Sequence, residues 1–548
     1  MFWYFSSIFK AAKYYYYGFL RALRTSAAFG RFSGFSTDVR LFWSLTERPQ
    51  LWKTKGNKLM VTEDKNLPSL LELKIEEVIG IYNSYINNFY DSVKNKETCN
   101  IFELEQLYYN LKNKFNNIDS EIINSILNSF DESKVIKESK KYYKENEINL
   151  KTKWRSKINI QTESAVVAIN RYMLRPTTEA DKDNLIKLNG MKSVFPMDHY
   201  LGIANLKFKI TVNAMLKIAK IGQQEKSFKQ AGETLNSQHG IMLDPVTIMS
   251  VTEHVGEIAF RHEYEQAQKL YEAFKNDKLD SGGQKKSDDV LVIVIDKIDV
   301  NVRKSGEVDQ EPENHLALFF SGDSRREKAS SEQAGGQAGG QAKDQLLKKD
   351  YITYLGDMEE FKKLVFHGAC RNGYGRFGRT VILSAGAEWI TRMKEELFPE
   401  AQEILDFSSL QGALLEFGQA FFNNDVSKYM KWHNKISKRL KNSDYKGLIK
   451  NIKYMENSRP EMSNSMSIFL EKNIEKINYL MYKENNYPIY INDIDKESKM
   501  EIQQRLNQSK MRWNINSAQY ILTLGAKKES NKWFSDVVKP VKDYYSVD

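Results

Sequence analysis

Six consecutive apolar residues, Val290-Leu291-Val292-Ile293-Val294-Ile295, five of them β-branched, interrupt a chain that is otherwise rich in charge. A strand with one wet face alternates apolar and polar residues. An unbroken β-branched run fits a strand covered on both faces. The run therefore demands packed layers above and below it. It ends at Asp296. A carboxylate there lies outside the apolar core, so it either caps a turn or holds a cation. Residues 299–303 and 316–320 read as the next two strands, and 351–369 as largely helical. Residues 380–383 read as a fourth strand, 389–397 as a helix stopped near Pro399, and 404–407 as a short fifth strand. Strands first, then a helix, then strands and helices, describe an α/β core embedded in mainly helical N- and C-terminal regions.

The flanks divide by composition. Residues 1–60 form an aromatic, basic leader holding 16 of the 66 aromatics, including Tyr14-Tyr15-Tyr16-Tyr17. Lys10 and Lys13 interrupt its one candidate spanning stretch, so no membrane helix is expected. Met60 offers an alternative start, and an interfacial basic-aromatic segment is the other reading of the leader. Residues 61–150 read as a helical region. Residues 151–280 read as a second helical region, with 166–169 as a possible strand. Within it, residues 227–235 form a helix, Gly240 a turn, and Asp244-Pro245 the cap and first turn of another helix. That order is compatible with a DNA-binding helix-turn-helix, but spacing alone favours a plain helical hairpin. A Gly- and Lys-rich linker at 281–287 and an Ala-Gly-Gly-Gln loop at 330–343 bracket the first strands. The α/β core spans 288–425, and a basic helical region spans 426–548.

Charge is polarised along the chain. The net of +10 resolves into +8 in residues 1–60, −7 in 61–425 and +9 in 426–548. A polyanionic partner therefore concerns the C-terminal region more than the whole. There Lys428, Lys431, Lys435, Lys438, Arg439, Lys441, Lys446, Lys450 and Lys453 recur at helical spacing, with Tyr429, Trp432 and Tyr445 among them. Such a stripe supplies phosphate contacts or is simply a solvated helical face. Cys99 and Cys370 cannot make a disulfide framework, and no Cys/His cluster has zinc spacing, so a reducing, cytoplasmic setting is expected. Residues 373–378 match G-x-G-x-x-G, but they follow a helix and precede a strand. That inverts the order a dinucleotide site requires.

Two blocks carry a family resemblance. Ser384-Ala385-Gly386-Ala387-Glu388-Trp389-Ile390, followed by Phe398-Pro399-Glu400-Ala401 and Leu405-Asp406-Phe407, resembles the S-D-G-A-x-W-I … F-P-x-A … L-D-F-x-H block of bacterial insertion-sequence transposases. These are DDE-type enzymes of the ISKra-like and Mutator-related kind. Gln503-Gln504-Arg505-Leu506-Asn507-Gln508-Ser509-Lys510-Met511-Arg512-Trp513 resembles their Q-R-L-K-Q-x-G-M-R-W stretch, continued by residues 518–522 and Trp533. The segment 227–256 is similar to their helix-turn-helix-like unit. Together these cover roughly residues 160–548.

The resemblance implies a ribonuclease-H-like core and metal-dependent DNA strand cleavage and transfer. Asp296 falls on the first catalytic Asp, with Lys297 where a glycine is usual. Ala385 falls on the second catalytic Asp, so that carboxylate is lost. Asp406 is retained, with Ser409 in place of the following His. The catalytic Glu points to Asp495, with Glu497 as the nearest substitute. Asp296 and Asp495 would hold Mg²⁺ or Mn²⁺, with Asp406 supporting the site. Lys431, Lys435, Lys438 and Arg439, with a second cluster of Arg505, Lys510 and Arg512, would contact double-stranded DNA at transposon ends. Family members are expected to form homo-oligomers near the nucleoid. Alanine cannot bind a cation, so catalysis is expected to be impaired by several kcal/mol in the barrier. The rival readings are a non-catalytic DNA-binding protein or repressor derived from a transposase, and a helical interaction protein.

Overall fold

A computed structural model describes residues 52–54, 57–59, 132–276, 287–298, 314–322, 349–455, 459–506 and 513–546, with a few single positions between them. For residues 492–496 the description is of the backbone. Most of the leader, most of the 61–150 region, residues 281–286 of the linker, the Ala-Gly-Gly-Gln loop, Lys510 and Arg512 lie outside the described residues. Contacts divide the chain into a unit within residues 1–77 and a unit spanning Val78–Val547. Of the first, the short hairpin β1 (Trp52–Thr54) and β2 (Asn57–Leu59) is described.

In the second unit the long apolar run is the central strand of a five-stranded sheet. The strands are β5 (Ser287–Lys297), β6 (Asn314–Gly322), β7 (Asp350–Leu355), β8 (Phe377–Ser384) and β9 (Gln402–Leu405), in the order β7-β6-β5-β8-β9. β6 runs antiparallel to both β5 and β7, whereas β8 is parallel to β5 and β9 to β8. The sheet is therefore mixed. Ahead of it come a separate antiparallel hairpin, β3 (Leu150–Gln161) and β4 (Val166–Pro176).

The principal helices are α1 (Glu132–Glu145), α2 (Val212–Gln224), α3 (Phe228–His239), α4 (Pro245–Lys275), α5 (Met358–Arg371) and α6 (Glu388–Leu397). They continue with α7 (Phe407–Phe421), α8 (Val426–Lys441), α9 (Tyr445–Met455), α10 (Asn492–Gln503) and α11 (Ile515–Glu529). None of the described helices is long and apolar enough to cross a membrane.

Strand pleating explains why β5 needed apolar residues throughout. Val290, Val292 and Val294 pack on one side, with Val255 and Ile258 of α4 and Ile521 and Leu522 of α11. Leu291, Ile293 and Ile295 pack on the other, with Phe361, Leu364 and Val365 of α5 and Ile390 and Met393 of α6. Both faces are dry, as the unbroken run requires.

Four expectations are corrected. Residues 351–355 are strand β7, not helix. Tyr351-Ile352-Thr353-Tyr354 is an aromatic and β-branched run, and β6 offers it a free edge. The helix starts only at Met358, where the Asp357 side chain accepts the Glu359 N–H. Phe407 begins a helix instead of ending a strand, because Asp406 caps α7. The 151–280 region is not purely helical: the strand expected at 166–169 is part of an eleven-residue strand in a long hairpin. Its inner face is built from Ile158, Ile160, Val167 and Ile169.

The fourth concerns the helix-turn-helix. The local signals are as read: the Ser227 hydroxyl accepts from Gln230 N at 3.0 Å, Gly240 turns at φ 66°, and Asp244 accepts from Val246 and Thr247. But the second helix runs 31 residues through the core and is packed by α2, α5 and α11. A Cβ on Gly256 would lie 2.5 Å from the Tyr520 carbonyl oxygen. The second helix is thus chiefly a core helix, with Pro245 and Val246 of its first turn exposed.

An ionic network that the sequence patterns did not announce ties the sheet edge to these helices. Asp350, 1% exposed, accepts from Arg371 Nη2 at 2.6 Å, Lys532 Nζ at 2.7 Å and Asn372 Nδ2 at 2.7 Å. Arg371 Nη1 also meets Asp536 at 2.7 Å, and Lys527 pairs with Glu263. Three carboxylates thus face three cations. Beside them, burial pushes His367 down to about 4, so it is neutral in the folded chain. The unfolded imidazole titrates near 6.5, so the unfolded state takes up the proton first. Stability supplied by neutral His367 is therefore full above about pH 6.5 and lost as pH falls toward about 4. The total is on the order of 3 kcal/mol. His367→Gln should flatten that segment of the stability-against-pH curve in urea titrations. An unchanged slope between pH 6.5 and 4 would sink the assignment.

Candidate functional site

Three strand ends lie side by side where the sequence placed its acids. Ile295 of β5 is the register partner of Ser384 of β8, and Ser384 is the partner of Leu405 of β9. The next residue of each strand is Asp296, Ala385 and Asp406. The Asp406 N–H donates to the Ser384 carbonyl at 2.7 Å, which keeps the last two ends in step. The carboxyl ends of parallel strands in an open sheet are where α/β folds place their ligands.

Each side chain there has a distinct fate. Asp296 Oδ1 accepts the Lys297 N–H at 2.8 Å, and its Oδ2 accepts from Lys499 Nζ at 2.6 Å. Both partners of that ion pair keep about a quarter of their side-chain surface in solvent. Lys499 belongs to α10, so the helix that carries Asp495 does return to the first strand end. Asp495 lies one turn before Lys499 on that helix. Glu497 is exposed and two positions from Lys499, about 200° round the helix, so it does not share that face. Ala385 is exposed and offers no ligand, and Glu388 is exposed in the first turn of α6.

Asp406, expected to support the site, is a hydrogen-bonded cap and not a free acid. It is 2% exposed. Its Oδ2 accepts both the Ser409 N–H and the Ser409 hydroxyl at 2.7 Å, and its Oδ1 accepts the Ile491 N–H at 2.8 Å. Ile491 immediately precedes α10. Asp406 therefore caps α7 and anchors the start of the helix that delivers Lys499 to Asp296.

The described side chains at the strand ends supply few cation ligands. Among the described residues no group of three His, Cys, Asp or Glu side chains could hold a metal ion. Asp296 already faces an ammonium, and its neighbour on β8 is alanine. Both Asp296 oxygens accept hydrogen bonds, whereas bridging two cations needs two or three converging carboxylates.

The basic stripe on α8 is a surface. Lys428, Lys431, Lys435 and Lys438 are exposed, on a stripe about 120° round the helix from buried Trp432, Ile436 and Leu440. Lys428 pairs with Asp425 at 3.0 Å and Arg439 with Asp444 at 2.8 Å. Lys431, Lys435 and Lys438 make no ion pair among the described residues. On α9, Lys446, Lys450 and Lys453 are exposed too, and Lys453 meets Glu471 at 2.6 Å. The interleaved aromatics are another matter. Trp432 packs on Phe417 and Phe422 and donates its indole N–H to Asn451, so it is core. The exposed ring beside the lysines is Tyr454, 78% exposed, which the spacing argument overlooked. Its position one residue after Lys453 was the available signal.

Arg505 does not belong to a DNA-facing cluster. It is 2% exposed, lies 3.7 Å over the Phe228 ring and donates from Nη1 to the Glu225 carbonyl at 2.9 Å. Burial pushes its guanidinium down to about 10. Its position in a basic sequence cluster gave no hint of this, because neighbours in sequence at a helix end point in different directions.

Comparison with protein-family models gives no match to this chain, and comparison with curated protein sequences gives none either.

Proposed function

We propose that this chain is a DNA-binding protein built on the core of a DDE-type insertion-sequence transposase, with strand-transfer chemistry impaired. The observation that carries the reading is the alignment of Asp296, Ala385 and Asp406 on adjacent strand ends. The order β7-β6-β5-β8-β9, with β6 alone antiparallel to its neighbours, is the arrangement expected of a ribonuclease-H-like sheet. In that plan the first and second catalytic acids stand next to each other. Here the second is alanine, and the first is neutralised by Lys499. Binding survives such losses more readily than catalysis. Phosphate contacts need exposed cations in number, whereas metal chemistry needs each carboxylate in place.

On this reading Lys431, Lys435 and Lys438 contact the DNA backbone. Their joint replacement by glutamine should lower the slope of log affinity against log salt by about 2.7 for a duplex. Fluorescence anisotropy with transposon-end duplex measures it, and a nicking assay with Mg²⁺ runs alongside. Binding without nicking is the expected result. Nicking at transposase-like rates would overturn the impairment, and no binding at low salt would overturn the DNA reading in favour of a helical interaction protein.

A further inference from the structure

Helix α9 presents one face that the fold leaves open. Its 11 residues, Tyr445–Met455, include Lys446, Lys450 and Lys453 and no Asp or Glu. Successive helical residues turn by about 100°. Lys446 and Tyr454 therefore stand about 40° to either side of Lys450, and Lys453 about 60° from it. Leu448, Ile452 and Met455, all buried, lie roughly 140–160° away from Lys450. Lys446, Lys450, Lys453 and Tyr454 are all exposed, so three cations and a ring share the solvent side. One flank is fixed by α8, whose Trp432 indole donates to Asn451 Oδ1 at 3.0 Å.

The ring is the anomaly. Tyr429 and Tyr445 are half-buried and Trp432 is core, whereas Tyr454 keeps 78% of its surface in solvent. No side-chain hydrogen bond or ring contact engages Tyr454 among the described residues. The packing of α9 rests on Leu448, Ile449, Ile452 and Met455, and the ring adds nothing to it. One turn before Tyr454 stands Lys450, and one turn before that Lys446. Neither makes an ion pair among the described residues. Glu471 is engaged by Lys453 at 2.6 Å, and Asp444 pairs with Arg439 and accepts the Gly447 N–H. Lysines by themselves accept any polyanion. A ring beside them selects, because a base inside a duplex has both π-faces covered by its neighbours, whereas an unpaired base has a face free to stack.

We propose that this face of α9 binds single-stranded DNA, with Lys446 and Lys450 on phosphates and the Tyr454 ring stacked on one base. Steps of one helical turn, about 6 Å each, set cation, cation and ring in a row that a strand can follow. Stacking tolerates every base, so the site carries no sequence preference. The class of partner rests on the DNA reading above. The location on α9 and the strandedness do not.

The test is fluorescence anisotropy of the full chain with an oligothymidylate of about 16 nucleotides, beside a duplex probe of equal length. Tyr454→Ala should weaken single-strand binding at least about 5-fold, the low end for one base stack, and leave duplex binding unchanged. Tyr454→Phe should keep the parent affinity, because the ring is retained. Replacing Lys446 and Lys450 together by glutamine should lower the single-strand salt slope by about 1.4. Thermal melting checks the fold. If Tyr454→Ala melts early, the lysine variant reads the same face, and an unchanged slope there overturns the inference. Equal single-strand affinity of the parent and Tyr454→Ala, or an equal loss on both probes, overturns it as well. Duplex binding by the parent without single-strand binding overturns the α9 site and leaves the DNA reading intact. Absence of binding to either probe overturns both. Tighter binding of the matching oligouridylate, with Tyr454→Ala affecting that probe alone, overturns the assignment to DNA.

Discussion

Asp350→Asn is expected to cost about 3–5 kcal/mol of folding stability, because it strands buried cations. The carboxylate is 1% exposed and answers Arg371 and Lys532 directly. Asparagine keeps the shape but removes the charge, so Arg371 would face only Asp536 and Glu263, and Lys532 would lose its acid at 2.7 Å. Burial by itself would raise the Asp350 pKa. The charges of Arg371, Lys527 and Lys532 outweigh it and hold the carboxyl well below the usual range. With its folded value depressed, the group contributes stability above the unfolded value near 4 and loses it as pH falls below that. The parent chain should therefore weaken steeply below about pH 4, and Asp350→Asn should lack that step. Urea titration across pH reads both effects. A loss under about 1 kcal/mol would mean that the network is dispensable.

The second large effect concerns the strand ends. The parent chain should show no binding of Mn²⁺ at the Asp296 site by calorimetry, because Lys499 supplies the positive charge there. Ala385→Asp combined with Lys499→Gln puts two carboxylates on adjacent strand ends and removes the ammonium. Without metal this pair should be destabilised by like charges, by roughly 1–3 kcal/mol at partly exposed positions. Added Mn²⁺ should then raise the melting temperature in proportion to the logarithm of its concentration. Ala385→Asp alone should gain little, because Lys499 still competes for Asp296. Equal metal binding by the parent chain would show that the lysine is no substitute for a cation. Failure of the double variant to respond to metal would show that the strand ends are not in register for sharing one.

Much of the sheet was legible because its signals are local. The run at 290–295 announces a doubly covered strand, and the Ser227, Gly240 and Asp244-Pro245 signals mark helix ends within a residue or so. Residues 351–355 were misread because a six-residue strand followed closely by a helix has too few periods to separate the two patterns. The strand is decided by the free edge of β6. The hairpin at 150–176 was missed for a related reason. The bulge near Lys153 breaks the alternation, so its polar and apolar positions do not separate by simple counting.

Site residues follow the same division. Asp296 was identifiable, since an acid closing an apolar strand is a local anomaly. That Asp406 would be consumed by a helix cap and by Ile491, 85 positions away, was not. Neither was the capture of Asp296 by Lys499, 203 residues distant, nor the burial of Arg505 against Phe228. The sequence alone determined where the central strand lies, which helix ends are capped, that the second acid position is Ala385, and how charge is distributed. Tertiary structure decided which charges are exposed, which are neutralised and which are buried. The reason is physical: backbone preferences are set by a residue and its near neighbours. The environment of a charge is set by whatever the fold brings to it from elsewhere in the chain.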